Sequence, residues 1–348
     1  MNKTAYILFS AVVFGLCVFF SAGLLFQGAA DPDRTALPEF MKENHINDDF
    51  GSEFEEWFSK NFAFSDTITD IYTDIKLALF NEGNSQVIVG KDNFLFFADT
   101  INDYVGLDRM SDEDIRRTAQ VLALLNDQSA EAGAEFLFVC APNKNSVYGE
   151  YMPARYKKSG SLSDLDRLYR ELDLLGVHYI DLRDVLRQSD RLTYHKRDTH
   201  WNGIGAQIAF GMITAHFGVN MPDYGEEVVV TDFEGDLDAL LYPGKTKYDV
   251  NTTRNFDGMF IFTSAYSNPM DLGITSRSGA TGKLLMFRDS FANALIPYAA
   301  SSFGEVRMER IIPYNMAQLE TYAPDYVIVE IAERNIRNIA NYITVNEE

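Results

Sequence analysis

A serine, a histidine and an aspartate able to work together stand in two short stretches of this chain. Asp198 and His200 lie two positions apart in KRDTHWNGIGA (196–206), beside Trp201 and ahead of a helical run, while Ser290 lies in MFRDSFANAL (286–295). A serine hydroxyl is a weak nucleophile until a base takes its proton, and the base needs an acceptor that orients it. Ser290 follows an apolar run and precedes a helix-like one. That sets it at the carboxyl end of a strand, where open α/β sheets hold their sites and backbone N–H groups can meet an oxyanion. Plainer uses exist for each: Ser290 or Asp289 as a helix cap, and His200 as a hydrogen-bonded histidine next to a core Trp201. His195, Asp198 and His200 could also supply three metal ligands. With only Cys17 and Cys140 in the chain and no further His or Cys cluster, no metal site is expected.

A third stretch could feed the same crevice. The strand-like EFLFVCA (135–141) runs into PNKNSVYGEYMP (142–153), so Asn143, Lys144, Asn145 and Tyr148 leave a strand's carboxyl end. An Asn there could complete an oxyanion hole, although loops also use Asn and Pro merely to turn. Glu330, Glu333 and Arg334 close the last strand and could reach the site or form a structural ion pair.

The elements that must position these residues read as follows. Residues 4–26 carry no charge and Lys3 precedes them. As a helix they would cover about 34 Å, enough to span a bilayer with the remainder exported. Small residues at 21–23 and 28–30 leave a cleaved signal segment as the rival, and Cys17 is expected to be buried. Residues 1–27 are thus an anchor or signal segment, 28–84 a connector and amphipathic helices, and 85–348 the main domain. Within that domain, 85–100 reads as a hairpin, and Ser111 as the cap of a helix ending near Gly133. Strands at 135–141, 177–182, 258–264 and 283–287, one holding Val306, Ile311 and Ile312, and one at 325–335 alternate with helices. Residues 219–257 read as a β-rich or loop insertion. Alternating strands and helices predict an α/β fold, a mostly parallel sheet covered on both faces.

The 348 residues carry 51 Asp and Glu against 30 Lys and Arg, a formal charge of −21. Nucleic acid is therefore excluded as a partner, and a neutral or weakly charged ligand is favoured over a polyanion.

Four blocks, in order, resemble the alginate O-acetylation proteins of the AlgJ and AlgX type, including relatives named after an Asp-His-His-Trp motif. VGKDNFLFF (89–97) is similar to that family's hairpin, and APNKNSVYGEYMP (141–153) to its Pro-X-Lys segment. RDTHW (197–201) is similar to its Asp-X-His-Trp motif, and FRDSFANAL (287–295) to its nucleophile block. Asn93 departs from a usual Gly, and Arg288 stands where a small residue is common. The resemblance implies an SGNH-hydrolase-like three-layer α/β/α sandwich facing the outside of the cell. It implies Ser290 as nucleophile, His200 as general base and Asp198 as its orienter. Asn143, Lys144, Asn145, Tyr148, Trp201, Arg288 and Arg334 are candidates for substrate binding or the oxyanion hole. The implied activity is O-acetylation of an exported or cell-surface polysaccharide through an acetyl-serine, without a cofactor, beside a membrane-bound O-acyltransferase that delivers acetyl. An esterase with the same triad and an inactive glycan-binding subunit are the alternatives.

Overall fold

The computed structural model describes residues 3–27, 37–42, 45–61, 65–80 and 82–342. The chain divides into two compact units, 1–81 with 242–246, and 82–241 with 247–348. The first unit holds helices α1 (Lys3–Gln27), α2 (Phe50–Asn61) and α3 (Ser65–Phe80). Phe50 packs edge-on against Phe40 at 5.1 Å and stacks on Phe54 at 5.7 Å. The helix expected over 4–26 forms, as Lys3–Gln27, but among the described residues no helix is long and apolar enough to cross a membrane. The transmembrane anchor expected there thus has no support in the structure. Cys17 is exposed, not buried as its apolar neighbours suggested. The small residues at 28–30 and the start of the connector lie outside the described residues.

The second unit carries the chemistry-bearing stretches. Its first hairpin pairs β1 (Val87–Val89) with β2 (Leu95–Phe97). Asn93, between them, has φ 65, a left-handed conformation that Gly favours and Asn tolerates. Helix α4 (Asp112–Glu131) starts where Ser111 Oγ accepts from the Asp114 amide at 3.0 Å. Helix α5 (Asp164–Leu175) starts at a capping box of Ser163 and Asp166. After β3 (Glu135–Ala141) and β4 (Tyr179–Asp181) comes α6 (Gly203–His216). The stretch with little apolar periodicity then forms its own antiparallel pair, β5 (Glu227–Glu234) with β6 (Tyr248–Arg254), enclosing a short helix at Asp236–Leu241. The chain returns to the main sheet with β7 (Phe260–Phe262), β8 (Gly273–Ser278), β9 (Lys283–Phe287), β10 (Glu305–Glu309) and β11 (Tyr326–Ala332).

The seven strands lie in the order β4-β3-β11-β9-β10-β8-β7. Pairing is parallel from β4 to β10 and antiparallel at β8 and β7. The sheet is thus mixed but mostly parallel, the α/β/α arrangement expected. Strand alternation sends Leu137, Val139, Leu284 and Met286 to one face, where α6 contributes Phe210 and Ile213. Phe136, Phe138, Leu285 and Val327 face the other way, against Leu122 of α4 and Leu172 of α5. Each such buried side chain contributes about 1.5–3 kcal/mol, so α6 is held firmly where it joins the segment carrying His200. Strand β8 had no sequence signal because its core-facing positions are Ile274 and Ser276, only one of them apolar. Ile311 and Ile312, expected in the β10 ladder, are exposed beyond its end at Glu309, and Pro313 has no N–H to extend it.

Candidate active site

Strand β9 ends at Phe287, and Ser290 follows after a two-residue turn at the carboxyl edge of the sheet. Asp289 closes that turn. Its Oδ1 accepts from the Phe291 amide at 2.9 Å, and its Oδ2 accepts from the Ala332 amide at 2.8 Å and from Asn335 Nδ2 at 3.2 Å. The capping duty open to either residue thus falls to the aspartate. Ser290 makes no capping bond, and its Oγ lies 2.9 Å from His200 Nε2.

His200 sits in a narrow loop held at its base. Tyr194 bridges to Trp201, and the Asn202 amide donates to Thr193 O at 3.0 Å. Asn202 then caps α6, its Oδ1 accepting from the amides of Ile204 and Gly205, each at 3.0 Å. A Cβ on Gly205 would stand 2.1 Å from Thr193 O and one on Gly203 2.0 Å from Thr252 O, so the loop closes this tightly only with glycines. At the tip, Asp198 Oδ1 accepts from the His200 amide and meets His200 Nδ1, both at 2.7 Å, while Oδ2 accepts from the Asp236 amide at 2.8 Å. Burial alone would raise the Asp198 carboxyl. The bond to His200, the imidazole charge and the two amides outweigh it and hold the acid well below the usual range. An ionised Asp198 fixes the tautomer that leaves Nε2 free to accept the Ser290 proton.

A second carboxylate stands behind the first. Asp236 Oδ2 is 3.5 Å from His200 Nδ1 and accepts from Thr199 Oγ1 at 2.5 Å; Thr199 Oγ1 is also 3.1 Å from His200 Nδ1. Burial, then the Asp198 charge, raises the Asp236 carboxyl. Asp198, His200 and Asp236 lie within ligand reach of one another, and His195 is not in that group. The His195 ring instead stacks on Phe233 at 3.8 Å, and burial pushes its pKa down to about 4.

Trp201 is buried, donates to Phe291 O at 3.0 Å and meets the Phe291 ring edge-on at 5.2 Å, locking the histidine loop to the serine turn. The block after β3 lies elsewhere than in the cleft lining. Lys144 Nζ donates to the carbonyls of His195 (2.9 Å) and Lys196 (3.1 Å), and burial lowers its pKa to about 7. Asn145 donates to Thr100 Oγ1 at 2.9 Å, and the Tyr148 hydroxyl accepts from the Thr193 amide at 2.9 Å. Lys144 and Tyr148 thus spend their hydrogen bonds on the loop that carries His200, and Asn145 ties the block to Thr100. The Asn143 amide donates to Glu333 Oε2 at 2.7 Å, while its side-chain amide is buried with no hydrogen-bond partner among the described residues. Burial, then the charge of Asp103, raises Glu333 to about 7. Glu330 is buried too, and burial followed by the Asp289 charge pushes it well above the usual range. Arg334 covers the Phe291 and Phe97 rings at 5.3 and 5.7 Å.

Arg288 reaches the cleft only through others. Its guanidinium donates to Pro269 O (2.9 Å), Asp271 O (3.1 Å) and Asn293 Oδ1 (2.7 Å), and burial lowers its pKa to about 10. Asn293 lines the cleft three residues after the nucleophile, with its Oδ1 thus engaged and its Nδ2 against Met270 Sδ at 3.1 Å.

Ser290 and His200 open on a cavity of about 660 Å³ walled by Phe233, Phe260, Phe262, Tyr266 and Tyr298. Among the described residues, no Lys or Arg lines it. Sequence reading missed Asp236, Asn293 and these aromatic walls. Asn293, inside the serine block, was the one with a local signal. Asp236 and the aromatics come from the insertion and edge strands, which have no fixed spacing from the motifs.

The family model for the SGNH hydrolase-like domain of acetyltransferase AlgX matches residues 87–253, which hold Asp198 and His200 and end before Ser290. A probable alginate O-acetylase AlgJ of Pseudomonas syringae pv. tomato is 22% identical over 252 residues, covering 69% of this chain and 61% of the relative. The AlgJ of Pseudomonas putida is 23% identical over 216 residues, covering 60% and 52%. The chain thus spans less than two thirds of either relative. Among solved structures, a DHHW family protein from Eubacterium siraeum aligns with a TM-score of 0.55 at 15% identity over 67% of this chain and 90% of that one. Bacillus cereus PatB1 with a sulfonyl adduct aligns with a TM-score of 0.56 at 16% identity over 74% and 98%. The likeness to these two is one of fold.

Proposed function

We propose that this chain, an AlgJ/AlgX-like member of the SGNH-like family, is an O-acetyltransferase that acts on a neutral glycan through an acetyl-serine. The observation that carries the reading is the relay Ser290 Oγ, His200 Nε2, His200 Nδ1, Asp198 Oδ1, with steps of 2.9 and 2.7 Å across the ring, at the mouth of the aromatic cleft. Ser290 Oγ attacks the acetyl carbonyl as His200 takes its proton. His200 then returns the proton to the departing donor group, leaving acetyl on Oγ. A sugar hydroxyl, deprotonated by the same imidazole, attacks that ester and restores Ser290.

The acceptor class follows from the walls. Aromatic rings stack on the apolar faces of sugars, whereas a polyuronate would need cations, which the described lining lacks. The test is product analysis after incubation with an activated acetyl ester and a mixture of neutral and uronate oligomers. Acetylated neutral oligomer is expected. Release of acetate alone would make the chain an esterase, and preferential acetylation of the uronate would overturn the neutral acceptor.

We extend the proposal to place: an exported domain fed by a membrane-bound O-acyltransferase. Loss of cell-surface acetylation on deleting such an acyltransferase supports this, and unchanged acetylation contradicts it.

A further inference from the structure

Three side chains with no part in the relay converge at the opposite end of the sheet. Glu135 is the first residue of β3, His178 immediately precedes β4, and His216 is the last residue of α6. The parallel register pairs Phe138 with Tyr179, which sets Leu137 beside His178. Alternate residues of a strand share a face, so Glu135 and His178 project to the face of Leu137, the one α6 covers. Two of the five histidines in the chain thus meet one carboxylate although 38 residues separate them.

The distances suit coordination. One ligand atom from each residue lies within 4.8 Å of the others. His216 Nε2 is 3.4 Å from Glu135 Oε1, and the two imidazole rings stand 5.2 Å apart at 72°. Ligands about 2.0–2.1 Å from a tetrahedral zinc are about 3.3 Å from each other, which the His216–Glu135 separation already matches. His178 is exposed, and its ring already lies edge-on to that of His216 on the same face. A plain ion pair accounts for this less well. His216 Nε2 is shut off from solvent, and its contact with Glu135 Oε1 at 3.4 Å falls outside hydrogen-bond geometry, so the pair leaves that nitrogen incompletely answered. An imidazole nitrogen left in that state is costly unless something answers its lone pair. Below it, Phe217 packs on Tyr326 at 4.8 Å, fixing the helix end over the sheet.

We propose that Glu135, His178 and His216 form a binding site for a zinc-class divalent cation, with two imidazoles, one carboxylate and water as the fourth ligand. The cation joins the starts of β3 and β4 to the end of α6, whose other end follows directly from His200. It is a staple for the helix that backs the relay and takes no part in acyl transfer. The donor set of the relay is different in kind, because His200 Nδ1 is already hydrogen-bonded to Asp198.

The full chain is titrated with Co²⁺ as an optical probe and then with Zn²⁺ as competitor. One Co²⁺ per chain with the visible absorption of a tetrahedral site is expected, displaced by Zn²⁺, and Zn²⁺ should raise the melting temperature. His178→Ala and His216→Ala should each abolish the signal and the melting shift, while His200→Ala should keep both. His178 is exposed, so its variant is a fair test even if His216→Ala folds poorly. Absence of saturable binding, binding that survives both variants, or binding lost in His200→Ala overturns the assignment.

Discussion

Two polar stretches leave the carboxyl edge of the sheet and end in opposite roles. After β3, residues 143–148 turn under the histidine loop, where Lys144 and Asn145 donate to, and Tyr148 accepts from, partners within the protein. After β9, residues 288–293 turn outward, and Ser290 meets His200 at the mouth of the cleft. The residue types in the first stretch are no less reactive than those in the second. What separates them is where the hydrogen-bonding capacity is spent: buried donors answered by carbonyls build a platform, and a hydroxyl facing only a base and a cavity can react. The same contrast runs between two carboxylates at one imidazole. Asp198 is fixed by two amides, those of His200 and Asp236, besides the His200 ring, whereas Asp236 reaches the ring only at 3.5 Å and beside Thr199.

The sharpest way to break this contrast is at the carboxylates. Asp198→Asn should lower acetyl transfer about 10⁴-fold, since an amide at this position favours the wrong tautomer. Asp236→Asn should cost about tenfold, the size of a supporting contact. Steady-state rates on the two variants decide it, and equal losses would mean that His200 is held by the pair. The platform is probed next. Lys144→Ala should lower unfolding free energy by about 2–3 kcal/mol, through the cavity and the two carbonyls it leaves. Turnover of the folded fraction should fall less than about tenfold. A rate loss as large as that of Asp198→Asn would put Lys144 in the chemistry.

The last test is a pH dependence of stability. Burial raises Glu333 from 4.5 to about 7, so the folded protein binds more protons than the unfolded chain between those values. The stability this contributes is fully present below pH 4.5 and is lost as pH rises through about 7, on the order of 3 kcal/mol. Glu333→Gln keeps an oxygen for the Asn143 amide and should flatten that fall in denaturant titrations. An unchanged slope would assign the pH dependence to another group.

The strands that carry the site were legible because they are short apolar runs at regular spacing, and the motifs stand at their ends. Ser111 announced its helix through capping chemistry. The roles of the polar residues were less legible. Nothing in PNKNSVYGEYMP distinguishes a lysine that lines a crevice from one buried against two carbonyls, because that depends on β2 and the loop of 194–197 folding over it. Arg288 is a similar case. Next to the nucleophile it read as a site residue, yet its guanidinium anchors the 268–271 turn and Asn293. The cleft walls were least visible of all. Phe233 comes from the aperiodic insertion and Phe260, Phe262 and Tyr266 from the antiparallel edge and the loop beyond it, so only tertiary closure brings them to Ser290.

The central claim is that Ser290 carries the acetyl group. Brief incubation of the full chain with an activated acetyl ester, followed by acid quench and peptide mass analysis, tests it directly. One acetyl on the peptide containing Ser290 is expected, removed when a neutral glycan oligomer is added and absent in Ser290→Ala. Turnover by Ser290→Ala at the wild-type rate, or an acetyl found elsewhere in the wild type, would contradict the account.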